Sequence, residues 1–454
     1  MSETSNHKLR ELLTHFAPKE YASLALAILL SIPILIYGLG SDTVDEVERG
    51  FKPIVATERV YDTNGNRVQL FDTSFYIAYE NNASEIEIAL VEEVLNEYLV
   101  PYHQLFDRHA SYFAEDIANP SRPTSEEQAN TPLVHNVKYI NDHLGEFVEV
   151  DFALYDLLTK AQELAIFSQG YFNPFLGELT DFWTDILGYE EYPTALDPTV
   201  NIDKKNELES ILSFVPKTAA ELEAALTFNH DVINDRYYVR LNPHHDAKQG
   251  EMSLTLGGIA KGYLTDVMQS VMVQNKLYRG YINGGASSIT TVSPTYFGEA
   301  LNVSMASIYI DEVGRRDPNP SFRFNRQDSY SMSTSGTYEG KWFKHESSGV
   351  DYLRSHIIDP FTGYPASQPH QLVTVVSNEI SGTELEILST SLVVMSQEEG
   401  VNFISENYTD IDFNIVYLSY DNGEYLLERN EDFPGGNSPY FHVSEIYREN
   451  FLEI

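Results

Sequence analysis

The sequence predicts an α+β fold: a single domain of mixed sheets and helices over residues 55–454, preceded by one N-terminal transmembrane helix. Three observations predict it. In the second half, short β-rich runs such as RYYVRL and HQLVTVVS alternate with helical segments. No stretch repeats at a fixed period, which sets solenoid and propeller architectures aside. One long uncharged apolar run, YASLALAILLSIPILIYGLGS, lies at residues 21–41, ahead of the rest.

Composition narrows the function classes. The chain has 454 residues, 68 acidic against 29 basic, for a formal net charge of −39. Such a surface repels nucleic acid and anionic headgroups, so no nucleic-acid partner is expected. A polyanionic ligand has to be met locally, by a cation, a metal or backbone N–H groups. The chain has no cysteine, which excludes disulfides, thiolate metal sites and a cysteine nucleophile.

Lys8, Arg10 and Lys19 precede the apolar run, and Asp42, Asp45, Glu46 and Glu48 follow it. Positive charge tends to stay cytoplasmic. Residues 1–20 are therefore expected inside, 21–41 in the cell membrane, 42–54 as an acidic linker and the remainder outside. A cleaved signal peptide competes, with Gly38 and Gly40 as small residues near a cleavage point. The run is long for a signal sequence, which favours an uncleaved anchor. Further on, Asn64-Gly65 marks a hairpin. Ser84–Val100 has helical periodicity, residues 115–131 read as an exposed loop, and Asp151–Ser168 is a second amphipathic helix. Residues 189–225 begin irregular and end helical.

Five stretches carry chemistry. In LTLGGIAKGYLTDVM, a strand meets Gly257-Gly258 and then a helix bearing Lys261. Glycines let backbone approach a ligand, and a helix N-terminus offers N–H groups to phosphate. The glycine spacing fits neither a Walker loop nor a dinucleotide fingerprint. Asn283-Gly284-Gly285 reads as a turn. Ser333, Thr334, Ser335 and Thr337 around Gly336 read as a loop whose hydroxyls and N–H groups suit phosphate oxygens. In GTELEILSTSLVVM, Leu385, Leu388, Leu392 and Met395 mark a buried stripe. Glu386 and Thr390, four apart beside it, offer hard oxygens to Mg²⁺. Each has a plain structural alternative: a helix start, a hairpin, a surface loop, a surface Glu beside a back-bonded Thr. The fifth stretch, HIIDPFTGYPA, places His356 and Asp359 before a tight turn; Asp359 either orients the imidazole or caps the turn.

Taken together and in order, GGIAKGY, NGG, STSGTYE, HIIDPFTGYPA and LSTSLVVM resemble the ApbE-type flavin transferases. FDTSFYI, LFDRH, YINDHLGE and GYFNPFLGELTDFW extend the resemblance from about Val55 to Met395. The resemblance implies transfer of FMN from FAD to a threonine of an extracytoplasmic acceptor protein, with Mg²⁺ and release of AMP. It implies Mg²⁺ bound by the Gly258 carbonyl, Glu386 and Thr390. It places Phe71, Tyr171, Phe172, Asn173, Lys261, Ser333, Thr334, Ser335, Gly336, Ile357 and Ile358 around FAD, and His356 at the acceptor hydroxyl. Two positions depart from the family's usual Asp: Thr255, beside FAD, and Glu386. Imidazole changes charge nearest neutrality and so suits deprotonation of a hydroxyl. Competing readings are an FAD pyrophosphatase using water as acceptor, a weak flavin binder, and an interaction protein that keeps only the fold.

Overall fold

The computed structural model describes residues 50–114, 131–189, 192–285, 287–292, 301–305, 307–309, 317, 320–326, 329–338, 340–344, 351–409, 411, 413–421, 424–429, 441–443 and 451–453. The apolar run at 21–41 and, apart from Thr131, the expected loop at 115–131 lie outside these residues. Among the described residues no helix is long and apolar enough to cross a membrane. The chain divides into two units, one of residues 1–52 with Glu80–Asn82, the other of Pro53–Tyr79 with Ala83–Ile454. In the first, Asn81 N donates to Gly50 O at 2.8 Å. The expected linker 42–54 ends early, because Phe51–Val55 is already a strand.

A nine-stranded sheet organises the large unit, and its spatial order is its chain order. The strands are β1 (Phe51–Val55), β2 (Phe75–Glu80), β3 (Gly280–Gly284), β4 (Ser288–Thr291) and β5 (Ser331–Gly336). They continue as β6 (His370–Ser377), β7 (Phe413–Asp421), β8 (Glu424–Arg429) and β9 (Phe451–Glu453). From β2 to β8 each neighbour is antiparallel, and β9 joins β8 in parallel. The connections between strands therefore carry the helices and the site.

The connection from β2 to β3 holds α1 (Glu85–Phe106), α2 (Phe152–Phe167), α3 (Gly177–Leu187), α4 (Ile202–Leu212), α5 (Ala219–Ala225) and α6 (Ala260–Gln274). That from β6 to β7 holds α7 (Gly382–Val394) and α8 (Gln397–Asn407). Caps set these boundaries. Ser84 with Glu87 and Ser396 with Glu399 are capping boxes, and Asp151 accepts from Ala153 N. Helix α1 runs past the expected end at Val100, through Pro101, because Leu99, His103 and Phe106 are buried beneath its last turns.

Period-2 alternation divides the sheet into two faces. On one, Ile77 and Ile282 pack against Val91, Leu95 and Leu99 of α1 and Leu264, Met268 and Met272 of α6. Val373, Val375, Ile415 and Tyr417 on that side pack against Leu385, Leu388 and Leu392 of α7. On the other, Leu372, Val376, Val416 and Leu418 pack against Val303, Met305 and Phe322 of a three-stranded sheet. Each such buried side chain contributes about 1.5–3 kcal/mol. Helices α6 and α7 thus lie on one face, with their N-terminal turns together.

Candidate functional site

The crossing of α6 and α7 brings the sequence clusters together. A Cβ on Gly262 would stand 2.3 Å from Gly382 O, so only glycine admits this approach. Gly262 N donates to Glu386 Oε2 at 2.6 Å, in the first turn of α6, where a helix leaves amides without partners. Glu386 Oε1 lies 2.8 Å from Lys261 Nζ, and Lys261 also donates to Gly257 O at 2.9 Å. Glu386 is only 2% exposed, so the surface-glutamate alternative does not hold: this is a buried carboxylate with a cation and an amide as partners. Its extra methylene relative to Asp is accommodated by this reach to α6.

Thr390 completes the set. It back-bonds to Glu386 O at 3.0 Å and meets Ser335 Oγ at 3.0 Å. A side chain on Gly258 would start 3.8 Å from Thr390 Oγ1 and 3.3 Å from the Phe172 ring. Gly258, Thr390 and Phe172 therefore adjoin. Ser389 also donates to Glu386 O and contacts both Ser333 and Ser335. Thr390 Oγ1 donates to Glu386 O and has one further hydroxyl contact, with Ser335, which leaves it a lone pair for an outside cation. One carboxylate, one hydroxyl and a neighbouring turn carbonyl are the hard oxygen donors that suit Mg²⁺.

The hydroxyl stretch differs from its expected form. Residues 331–336 are not a loop but central strand β5, paired on both edges. Its amides are therefore not free for phosphate: Thr334 N, for example, donates to Ser287 O at 2.7 Å. Ser333 and Ser335 face α7. Thr334 faces the opposite side and bonds Thr374 Oγ1 at 3.0 Å. Gly336 ends the strand, where a Cβ would stand 2.8 Å from Gln371 O.

Some of the other expected residues adjoin this centre. Gly284 is one: it and Asn283 end strand β3, with the turn only from Gly285, and its Cβ would lie 3.4 Å from that of Lys261. Gly285 has φ +68, and a Cβ there would strike Thr73, so the FDTSF segment closes on the same turn. Phe71 has φ 51, in the left-handed region. A polar relay holds it there: Phe71 N donates to His103 Nδ1 at 3.2 Å, His103 Nε2 meets Tyr112 Oη, and Tyr112 donates to Asp107. Burial, against the pull of Asp107, holds the His103 imidazole below its usual pKa, hence neutral and able to accept from Phe71. Thr255 N donates to Pro174 O at 2.8 Å, beside the Tyr171–Asn173 segment. Asn173 is spent internally: its amide nitrogen donates to Pro216 O and its oxygen accepts from Phe175 N. It shapes the segment rather than pointing a free amide outward. Tyr171 donates to Glu399 and meets the Phe361 ring edge-on at 5.1 Å.

His356 is exposed, between buried Ser355 and buried Ile357. The turn after it is built by Asp359, whose Oδ1 accepts from Phe361 N and Oδ2 from Thr362 Oγ1, both at 2.8 Å. Asp359 thus caps the turn. Ile357 O accepts from Ala366 N and Ile358 bridges Pro365, which closes the segment as a small hairpin.

Two positioning groups stand beyond the expected site residues. Asp266, on α6, accepts from Gly382 N and Thr383 N at 2.8 Å and from Thr383 Oγ1. It caps α7 and fixes the helix that bears Glu386. Burial raises its pKa against those hydrogen bonds. Its spacing of four from Gly262 on the α6 face that meets α7 is the signal available. The other is the Asp197–Arg354 pair, 157 residues apart in sequence, which anchors the approach to His356.

A buried carboxylate paired with a lysine and a helix N-terminal amide, between close glycine approaches, forms the centre of this site. The family model described as "ApbE family" matches residues 117–414, and the chain belongs to that family. It is 29% identical over 266 residues to an FAD:protein FMN transferase of Treponema pallidum (strain Nichols), covering 57% of this chain and 64% of that protein. Over 174 residues it is 29% identical to one of Klebsiella pneumoniae (strain 342), covering 38% of this chain and 48% of that one. The matches thus span less than two thirds of these curated relatives. Among solved structures, the flavin transferase ApbE of Vibrio cholerae aligns at a TM-score of 0.54 and 16% identity, over 84% of this chain and 98% of that one. An ApbE protein of Thermotoga maritima aligns at 0.52 and 21%, over 81% and 94%. At these identities the two structures speak to the fold.

Proposed function

We propose that the protein transfers FMN from FAD to a threonine hydroxyl of an acceptor protein and releases AMP. The observation that carries this reading is Glu386, buried with Lys261 beside Thr390 and Gly258. The printed names of the curated relatives add to it. The acceptor Oγ attacks the FMN-side phosphorus, the bond from that phosphorus to the bridging oxygen of AMP breaks, and the hydroxyl proton passes to His356 Nδ1 or Nε2. Glu386, Thr390 and the Gly258 carbonyl would hold Mg²⁺, which when bound offsets charge on the pyrophosphate oxygens. Lys261 adds a second positive charge there. Phe71, Tyr171, Phe172, Thr255, the Ser333–Gly336 strand and the Ile357-Ile358 backbone border FAD in this reading. Exposure of His356 suits an acceptor that is itself a protein.

The test is metal dependence in Glu386→Gln. The substitution keeps the shape but leaves Lys261 without its carboxylate and removes the charged ligand. AMP release from FAD is expected to require Mg²⁺ in the wild type and to fall at least about a hundredfold in the variant. Full turnover in excess chelator, or an unchanged Mg²⁺ dependence in the variant, would refute the metal role.

The same reading places the domain outside the cell, anchored by residues 21–41. Protease added to intact cells is expected to remove the domain. Protection until lysis would reverse the orientation.

A further inference from the structure

We propose that Glu221, His244 and His245 form a binding site for a divalent transition-metal ion of the Zn²⁺ class. Their ligand atoms all lie within 4.8 Å of one another. His244 Nε2 stands 4.0 Å from Glu221 Oε1. Ligands on a tetrahedral ion with bonds of 2.0–2.1 Å sit about 3.4 Å apart, so small side-chain rotations complete the shell. The set shares no residue with the Glu386–Thr390 centre.

Outer contacts orient each ligand. His245 Nδ1 meets the Ser213 carbonyl at 3.1 Å, which calls for N–H at that atom and leaves the Nε2 lone pair free. Glu221 Oε2 accepts from Lys217 N and Thr218 N at 2.9 Å, which leaves Oε1 toward His244. The two imidazoles stack at 3.9 Å. His245 and Asp246 both take left-handed backbone, with φ 47 and 60, so the chain accepts strain to place His245 beside His244. The forms that bind metal are neutral imidazole and ionised carboxylate. Imidazole with a single carboxylate favours Zn²⁺ and its neighbours over Mg²⁺. His245 is exposed, so the remaining position opens to water.

Bound metal would join the start of α5 to the 242–246 turn. The same segment accepts from Asn173 through Pro216 O and packs under Gly170, so the ion would stiffen the floor beside Tyr171. Chelator-stripped full chain, with Mg²⁺ in excess to fill the hard-oxygen centre, is titrated with Zn²⁺ by calorimetry and with Co²⁺ by visible absorption. One saturable ion per chain is expected, with Co²⁺ bands of imidazole ligation and a raised unfolding temperature. His244→Ala and His245→Asn should each weaken binding at least about a hundredfold, and Asn tolerates the left-handed backbone. Glu386→Gln should leave it unchanged. Absence of saturable binding, binding indifferent to both histidine variants in protein that still unfolds cooperatively, or loss in Glu386→Gln overturns the site.

Discussion

His356→Ala is expected to reduce FMN transfer by roughly 10²–10⁴ while leaving FAD affinity nearly intact, the usual range for loss of a general base. The argument rests on where the side chain sits. His356 is exposed, whereas both its sequence neighbours are buried and the following hairpin is closed by Asp359, Thr362 and Ala366. Removing an exposed imidazole is therefore expected to weigh on transfer more than on the fold. A histidine that served only the fold would instead lower stability and FAD affinity together. Fluorescence quenching by FAD and covalent flavin on the acceptor separate the two. Equal transfer by a stable His356→Ala protein would contradict the assignment and leave the motif as a turn.

Asp197→Ala is expected to cost about 3–5 kcal/mol of stability, read as a lower urea midpoint. Asp197 is wholly buried and Arg354 only 2% exposed, with Arg354 Nε 2.8 Å from Asp197 Oδ2. Tyr192 Oη and the Thr199 amide and hydroxyl complete the carboxylate's shell. The guanidinium lies over Tyr352, Tyr364 and Trp183, at 4.7, 5.3 and 5.6 Å. Deleting the carboxylate strands that charge in an aromatic cage. Burial alone would raise the Asp197 pKa, but the hydrogen bonds from Arg354, Thr199 and Tyr192 outweigh it and hold it below the usual range. The stabilisation is thus present above the unfolded carboxylate pKa of about 3.9 and is lost as pH falls through the lower folded value. The gap between wild type and variant should be constant near neutrality and close in acid. Because Arg354 lies two residues before His356, transfer should fall as well. A variant as stable as the wild type would show the pair to be incidental.

Local chemistry made much of this legible. Helical periodicity marked the segments that begin at Ser84 and Asp151, and Asn64-Gly65 marked its hairpin, whereas the helix after Ser396 went unread. The spacing of four put Glu386 and Thr390 on one helix face, and the structure sets them beside Lys261 and Ser335. The hydroxyl strand misled because polar residues inside a sheet look like a loop until a second polar surface is known. Ser389 and Thr390 supply that surface from α7, more than fifty positions later. The Asp197–Arg354 pair depends on how distant segments fold together, which no local window records, whereas Asp266 is marked only by its spacing from Gly262. Asn173, which the family resemblance sets beside FAD, turns its side-chain amide to Pro216 O and Phe175 N, a pairing that the local sequence does not announce.

The central claim is tested most directly by counting products. Purified chain, FAD, Mg²⁺ and a candidate threonine-bearing acceptor are incubated, and AMP, free FMN and in-gel flavin fluorescence on the acceptor are measured together. The account predicts AMP and covalent flavin in equal amounts, with flavin lost when the acceptor threonine is replaced by alanine. AMP with an equal amount of free FMN and no labelled acceptor would identify hydrolysis instead. Neither product, with FAD bound, would contradict an enzyme at this site.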